Sequence, residues 1–187
     1  MNTPKPVDGA LLLCLDLQPA FLKIVSNGDE LLKRCQFAVE AAHLLGVPIA
    51  FTEQVPDKLG RTEPVLLAIA EPAEVHAKDS FSALAVGTPV RTAVTAGKHI
   101  EHLILCGLET PICVFQTAVD ALQAGIEVTV LSDCVGARRP ADAATCLEAL
   151  ARAGAHIVPC ETVFYTIVKG AAHPAFKSFT ELVKRHG

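Results

Sequence analysis

Three residues of complementary chemistry stand at the ends of apolar runs. Asp16 closes Ala10 to Leu15, Lys78 ends Val75-His76-Ala77, and Cys113 follows the run His102 to Leu108 by a short turn. A thiol, a carboxylate and an ammonium are the parts of a thiol hydrolase. The thiol is the nucleophile, the carboxylate takes its proton and later delivers it to a leaving group, and the cation favours the anionic sulfur. Cys113 falls in the first turn of an expected helix, where the helix dipole and a nearby lysine both predict a thiol poised toward thiolate. Acyl transfer also needs donors for an oxyanion. The backbone amides of Glu109 and Cys113, in a turn tightened by Gly107 and Pro111, are the candidates.

Taken singly, each residue has an ordinary role. Asp16 would cap the turn before Leu17-Gln18-Pro19, Lys78 would be a surface lysine, and Cys113 would fill space as the other six cysteines do. Taken together they answer three separate needs of one reaction.

The elements that must position them follow from hydrophobic periodicity. Ala10 to Leu15, Val47 to Thr52, Glu74 to Lys78, His102 to Leu108, Glu127 to Leu131 and Ala155 to Val158 read as strands. Helical stretches run from Glu30 to Leu45, from Pro64, from Thr88-Pro89 to Gly97, from Thr110-Pro111 to Ala124, and from Pro140 to near Gly154. Two more follow, Glu161 to Lys169 and Pro174 to Arg185. Gln54 to Arg61 reads as loop. Six strands alternating with helices predict an α/β domain with a mostly parallel, doubly wound sheet. Such sheets bind ligands outside the carboxyl ends of their strands, and that is where Asp16, Lys78 and Cys113 fall.

The bulk properties narrow the partners. With 187 residues the chain is expected to form one domain, 1–187, and 51% hydrophobic residues make disorder improbable. A net charge of −4 without a Lys/Arg run gives no reason to expect nucleic acid. No early apolar run is long enough for a membrane span, and the polar start, Met1 to Gly9, lacks a signal-peptide core. Seven cysteines without a CxxC pair are read as reduced thiols of a cytoplasmic protein, and a zinc knuckle is not expected. Mean hydropathy of +0.40 favours a homo-oligomer, a dimer or higher.

Three blocks carry a resemblance: Leu13-Cys14-Leu15-Asp16-Leu17-Gln18, Ala77-Lys78-Asp79-Ser80-Phe81-Ser82, and Cys106-Gly107-Leu108-Glu109-Thr110-Pro111-Ile112-Cys113-Val114. They resemble the signature segments of the isochorismatase-like cysteine hydrolase superfamily, over roughly Leu11 to Lys184. Thr52-Glu53-Gln54-Val55-Pro56, Leu59-Gly60-Arg61-Thr62 and the tail His173-Pro174-Ala175-Phe176-Lys177 are similar to its isochorismatase-domain-containing branch. The resemblance implies a Rossmann-like three-layer sandwich, an Asp16–Lys78–Cys113 triad, and a non-proline cis peptide at Leu108–Glu109 aiming the Glu109 and Cys113 amides at one oxygen. Nicotinamidases of this superfamily hold a metal through an Asp/His cluster after the second strand. Here Thr52-Glu53-Gln54 stands in that place, so neither metal nor cofactor is expected. Isochorismatases proper act on a vinyl ether and need no cysteine nucleophile, so Cys113 argues against that reaction.

The reading is a metal-independent cysteine hydrolase acting on a small-molecule substrate, a small amide or related C–N bond, through a thioester. Phe21, Gln54 and Phe81 are expected to line the substrate pocket, with Glu53 a further candidate for orienting a polar group. Arg138 and Arg139 read as a solvated loop or subunit contact, with a carboxylated substrate as the other role. The alternative is a catalytically weak or inactive member serving as an oligomeric interaction or regulatory protein. Redox sensing at Cys113 ranks last, since no cysteine is near it in sequence.

Overall fold

The structure is a computed structural model that describes residues 9–96 and 98–186. Most of the polar N-terminal stretch and Gly97, the expected end of one helix, lie outside the described residues. Within them the strands are β1 (Ala10–Leu15), β2 (Ile49–Gln54), β3 (Glu74–Lys78), β4 (His102–Leu108), β5 (Glu127–Gly136) and β6 (His156–Val158). The helices are α1 (Pro19–Leu22), α2 (Gly28–Leu45), α3 (Pro56–Leu59), α4 (Pro64–Ile69), α5 (Pro89–Thr95), α6 (Phe115–Gln123), α7 (Pro140–Arg152), α8 (Cys160–Val168) and α9 (Phe176–His186). A π-helical turn, Thr110–Val114, leads from β4 into α6.

All six strands are parallel, in the order β3-β2-β1-β4-β5-β6. The chain therefore reverses direction across the sheet between β1 and β4, and a crevice opens at their carboxyl ends. Alternation along β1 sends Leu12 and Cys14 to one face and Leu11, Leu13 and Leu15 to the other. The first face packs on α2, α8 and α9 through Phe37, Phe164 and Phe179, and the second on α5, α6 and α7 through Val94, Ala118 and Leu150. The result is a three-layer sandwich. Helix α2 stops where expected, at Gly46, whose φ of 73° is left-handed.

Two strands run further than their apolar residues suggest. β2 continues through Glu53 to Gln54, where the loop is expected to begin, and β5 continues through Ser132, Asp133 and Cys134 to Gly136. In both cases polar residues enter the sheet because their side chains find partners there. In β5 the register also jumps. Leu105 pairs with Val130 but Gly107 pairs with Val135, so two steps on β4 match five on β5. The irregularity falls on the segment that carries Asp133 and Cys134.

Candidate functional site

Asp16 is the first residue beyond β1, fully buried, with φ of 53°, a left-handed conformation that Asp tolerates better than most residues. Its Oδ1 accepts a 2.8 Å hydrogen bond from the Thr52 hydroxyl on β2. Its Oδ2 lies 2.7 Å from Lys78 Nζ, an ion pair whose direction is not that of a hydrogen bond. One carboxylate oxygen is thus tied to the sheet while the other keeps a lone pair for a proton.

Lys78 ends β3, two strands from β1, and its side chain is completely sheltered from solvent. A buried ammonium must be paired and hydrogen-bonded. Besides Asp16, Nζ donates to Gln54 Oε1, to Ser80 O at 3.2 Å, to Phe81 O at 3.1 Å and to Cys113 Sγ at 3.6 Å. The strand between Asp16 and Lys78 therefore serves both: Thr52 holds the carboxylate and Gln54 holds the ammonium. Period-two alternation places those two residues on one face of β2.

Cys113 lies in the π-helical turn after β4 and is only 5% exposed. A glycine and a buried threonine set the path of the chain there. At Gly107, φ is 113° and an added Cβ would stand 2.0 Å from Leu15 O, so only glycine lets β4 approach β1 this closely. The Leu108–Glu109 peptide is cis. Thr110, fully buried, donates its hydroxyl to Gly136 O at 3.0 Å and pins the turn to β5. The thiol itself is pushed up to about 12, first by burial and next by the charge of Asp16, with Lys78 opposing. This runs against the expectation of a thiol poised toward thiolate. Burial and the carboxylate outweigh the lysine.

The structure brings Asp16, Lys78 and Cys113 together, with Gln54 beside them. Both halves of the Gln54 amide have protein partners, Oε1 accepting from Lys78 and Nε2 donating to Asp79 O at 3.0 Å, so Gln54 helps to position the lysine. Glu53 points to the other face and is taken by Thr62 N at 2.8 Å and Arg61 at 3.0 Å. Phe21, on α1, packs against the α2-side core. Phe81 is 55% exposed and lines a cavity of about 230 Å³ with Ser80, Phe115 and Val119. Arg138 pairs with the buried Glu109 carboxylate at 2.9 Å, and Arg139 with Asp142 at 2.6 Å. Both line a cavity of about 250 Å³ alongside Pro111 and Ile112, against the turn that bears Cys113.

Two residues of the site had no role in the sequence reading. Thr52 is one. Gln18 is the other: fully buried, it accepts from Gln54 N at 2.7 Å and donates to Gly60 O at 2.6 Å, fixing the end of β2. Their signal was a polar residue flanked by apolar runs, which has no interpretation until the partner strand is known. The side chains of Thr52, Glu53 and Gln54, three successive residues of β2, are all engaged with protein partners.

Comparison with known proteins gives a consistent picture. The family model for the isochorismatase domain matches residues 10–162. Isochorismatase domain-containing protein 2 of Bos taurus is 33% identical over 179 residues, covering 96% of this chain and 84% of the relative. The secreted isochorismatase effector Isc1 of Phytophthora sojae is 32% identical over 184 residues, covering 97% and 87%. Among solved structures, the MAR1 ribonuclease of Caenorhabditis elegans superposes with a TM-score of 0.86 at 31% identity, over 96% of this chain and 93% of that one.

Proposed function

Because the chain belongs to the isochorismatase family, a hydrolase fold, we propose that it acts as a single-domain, metal-independent cysteine hydrolase that cleaves a small amide or related C–N bond. The observation that carries the reading is Lys78 Nζ, 2.7 Å from Asp16 Oδ2 and 3.6 Å from Cys113 Sγ among buried side chains.

With the thiol at about 12, thiolate at pH 7 is on the order of one molecule in 10⁵, so the proton leaves as the sulfur attacks and not before. Asp16 Oδ2 accepts that proton while Cys113 Sγ bonds to the carbonyl carbon. The carbonyl electron pair moves to oxygen, where the amides of Glu109 and Cys113 receive it. Collapse of this adduct breaks the C–N bond, and Asp16 returns the proton to the departing amine, leaving a thioester. Water then adds to the thioester with Asp16 as base. The C–S bond breaks, the proton passes back to sulfur, and the acid is released. Lys78 keeps its charge throughout. It holds the Asp16 carboxylate and steadies the developing thiolate.

Self-association belongs to the same reading. Phe81 and Val86, 55% and 85% exposed, lie on the loop after Lys78. Among the described residues no helix is long and apolar enough to cross a membrane. The ribonuclease activity in the name of the Caenorhabditis relative is not carried over, since a net charge of −4 with mixed signs offers a phosphate backbone little attraction.

A panel of primary amides and N-carbamoyl compounds, assayed for released amine or ammonia with wild type and Cys113→Ala, tests the proposal. Turnover by wild type with a thioester adduct on Cys113, both lost in the variant, is expected. Turnover retained by Cys113→Ala overturns the mechanism. The protonated, 5% exposed thiol is the one observation favouring the other reading, an interaction or regulatory protein. No turnover of any substrate, together with a Cys113 inert to haloacetamides, would select it.

A further inference from the structure

On the opposite side of β5 from the turn that bears Cys113, a second group of reactive side chains converges. Asp133, Cys134 and Cys160 each place one donor atom within 4.8 Å of the others. Asp133 and Cys134 ride on the β5 bulge, and Cys160 is the first residue of α8. Cys160 Sγ lies 3.0 Å from Asp133 Oδ2, and Cys134 Sγ lies 3.7 Å from Asp133 Oδ1 and 3.4 Å from Arg34 O, so one carboxylate stands between the two sulfurs. That carboxylate is held rigidly. Its Oδ1 accepts from Cys160 N at 2.8 Å, and its Oδ2 accepts from Arg34 at 2.8 Å. Arg34 also reaches Cys160 Sγ at 3.0 Å. A hydrophobic filler role explains neither the carboxylate between the two sulfurs nor the arginine behind it.

We infer that Asp133, Cys134 and Cys160 form a binding site for a thiophilic divalent cation of the zinc type, separate from the hydrolytic site. Two sulfurs and a carboxylate oxygen are a soft donor set that suits Zn²⁺ or Cd²⁺ and not Mg²⁺ or Ca²⁺. Ligands about 2.3 Å from one ion stand no more than about 4.6 Å apart, close to the present spread of the donors. The ion takes the place of the two thiol protons, which pass to solvent. Two thiolates and the Asp133 carboxylate then offset the divalent cation and the Arg34 guanidinium, which also pairs with Glu161 at 3.6 Å. Arg34 stays bonded to the ligating carboxylate, as outer partners of metal ligands do. Both cysteines are buried, but the side chains of Asp133 and Arg34 are 28% and 21% exposed and form the rim through which an ion enters.

The test is titration of reduced, chelator-free Cys113→Ala protein with Cd²⁺, followed by the sulfur-to-cadmium ultraviolet band, and X-ray absorption on the Zn²⁺-loaded sample. One ion per chain with two sulfur ligands is expected, with two protons released. Cys134→Ser or Cys160→Ser abolishes the band, Asp133→Asn weakens binding roughly 10–100-fold, and Cys146→Ser leaves it unchanged. Because Asp133→Asn keeps the shape and the helix contact, it serves if a serine variant fails to fold. No saturable band, an all-oxygen or all-nitrogen zinc environment, or a band that persists in Cys134→Ser/Cys160→Ser overturns the inference. So does a chain that forms only a Cys134–Cys160 disulfide and takes up no metal when reduced.

Discussion

Thr52 on β2 donates its hydroxyl to Asp16 Oδ1 at 2.8 Å, and this one bond decides which carboxylate oxygen is left facing Lys78 and Cys113. Thr52→Val keeps the shape and removes the donor. A hydrogen bond to a charged group contributes about 1.5–3 kcal/mol, so the acyl-transfer rate is expected to fall roughly 10–100-fold, mostly in kcat. Thr52→Ser should recover most of it. Equal rates for the valine variant and wild type would show that Asp16 is oriented by Lys78 alone.

The Cys113 thiol makes a prediction of unusual sign. The charge of Asp16 raises it, so Asp16→Asn is expected to bring the thiol below about 12 while abolishing turnover. Thiolate absorbance, measured as Asp16→Asn minus Asp16→Asn/Cys113→Ala, should titrate at lower pH than the matching wild-type difference. An unchanged midpoint would leave burial as the sole cause.

The same shift ties stability to alkaline pH. The folded thiol titrates above its ordinary 9.0, so the native state binds the extra proton between about 9 and 12. Its contribution is complete below 9 and is lost as pH rises through that window. Relative to Cys113→Ala, wild type should lose about 1.4 kcal/mol by pH 10. Urea midpoints of the two proteins at pH 8 and 10 provide the check, since the other six cysteines cancel.

Gly107 is expected to tolerate no side chain. An alanine there meets Leu15 O at 2.0 Å in a backbone conformation with φ of 113°. Strain of about 1–3 kcal/mol, added to a clash against backbone, should lower the urea midpoint sharply and separate β4 from β1. A stable Gly107→Ala with intact Cys113 reactivity would mean that the two strands can part without disturbing the site.

The two neighbouring arginines separate a structural pair from a solvated one. Arg138→Ala strands the Glu109 carboxylate, 6% exposed, and is expected to cost about 1 kcal/mol or more, discounted because Arg138 itself is 57% exposed. Arg139→Ala breaks a pair whose partners are 82% and 39% exposed and should cost at most about 0.5 kcal/mol. Thermal unfolding compares them directly.

The parts of the molecule built from apolar alternation were legible beforehand. The six strands, the stop at Gly46 and the proximity of Asp16, Lys78 and Cys113 follow from run lengths and from where a parallel sheet gathers its strand ends. What escaped was polar and long-range. Thr52 and Gln54 acquire their roles only because β2 lies between β1 and β3, a strand order that periodicity leaves open. The resting state of Cys113 escaped because the burial that raises it depends on packing, whereas the helix end and the lysine that lower it are visible locally. The group around Asp133 escaped because 25 residues lie between Cys134 and Cys160, and because a polar stretch after Leu131 looks like the end of a strand.

The strand order has a consequence for the choice of cation. Neighbouring strands are about 4.8 Å apart, so β1 and β3 stand about 10 Å from each other with the width of β2 between them. An aspartate is short, and its partner must span nearly all of that gap along the floor of the crevice. Only a long, unbranched stem ending in a compact charge does so without displacing Thr52 or Gln54. The sheet acts as a ruler, and lysine is the side chain cut to its length.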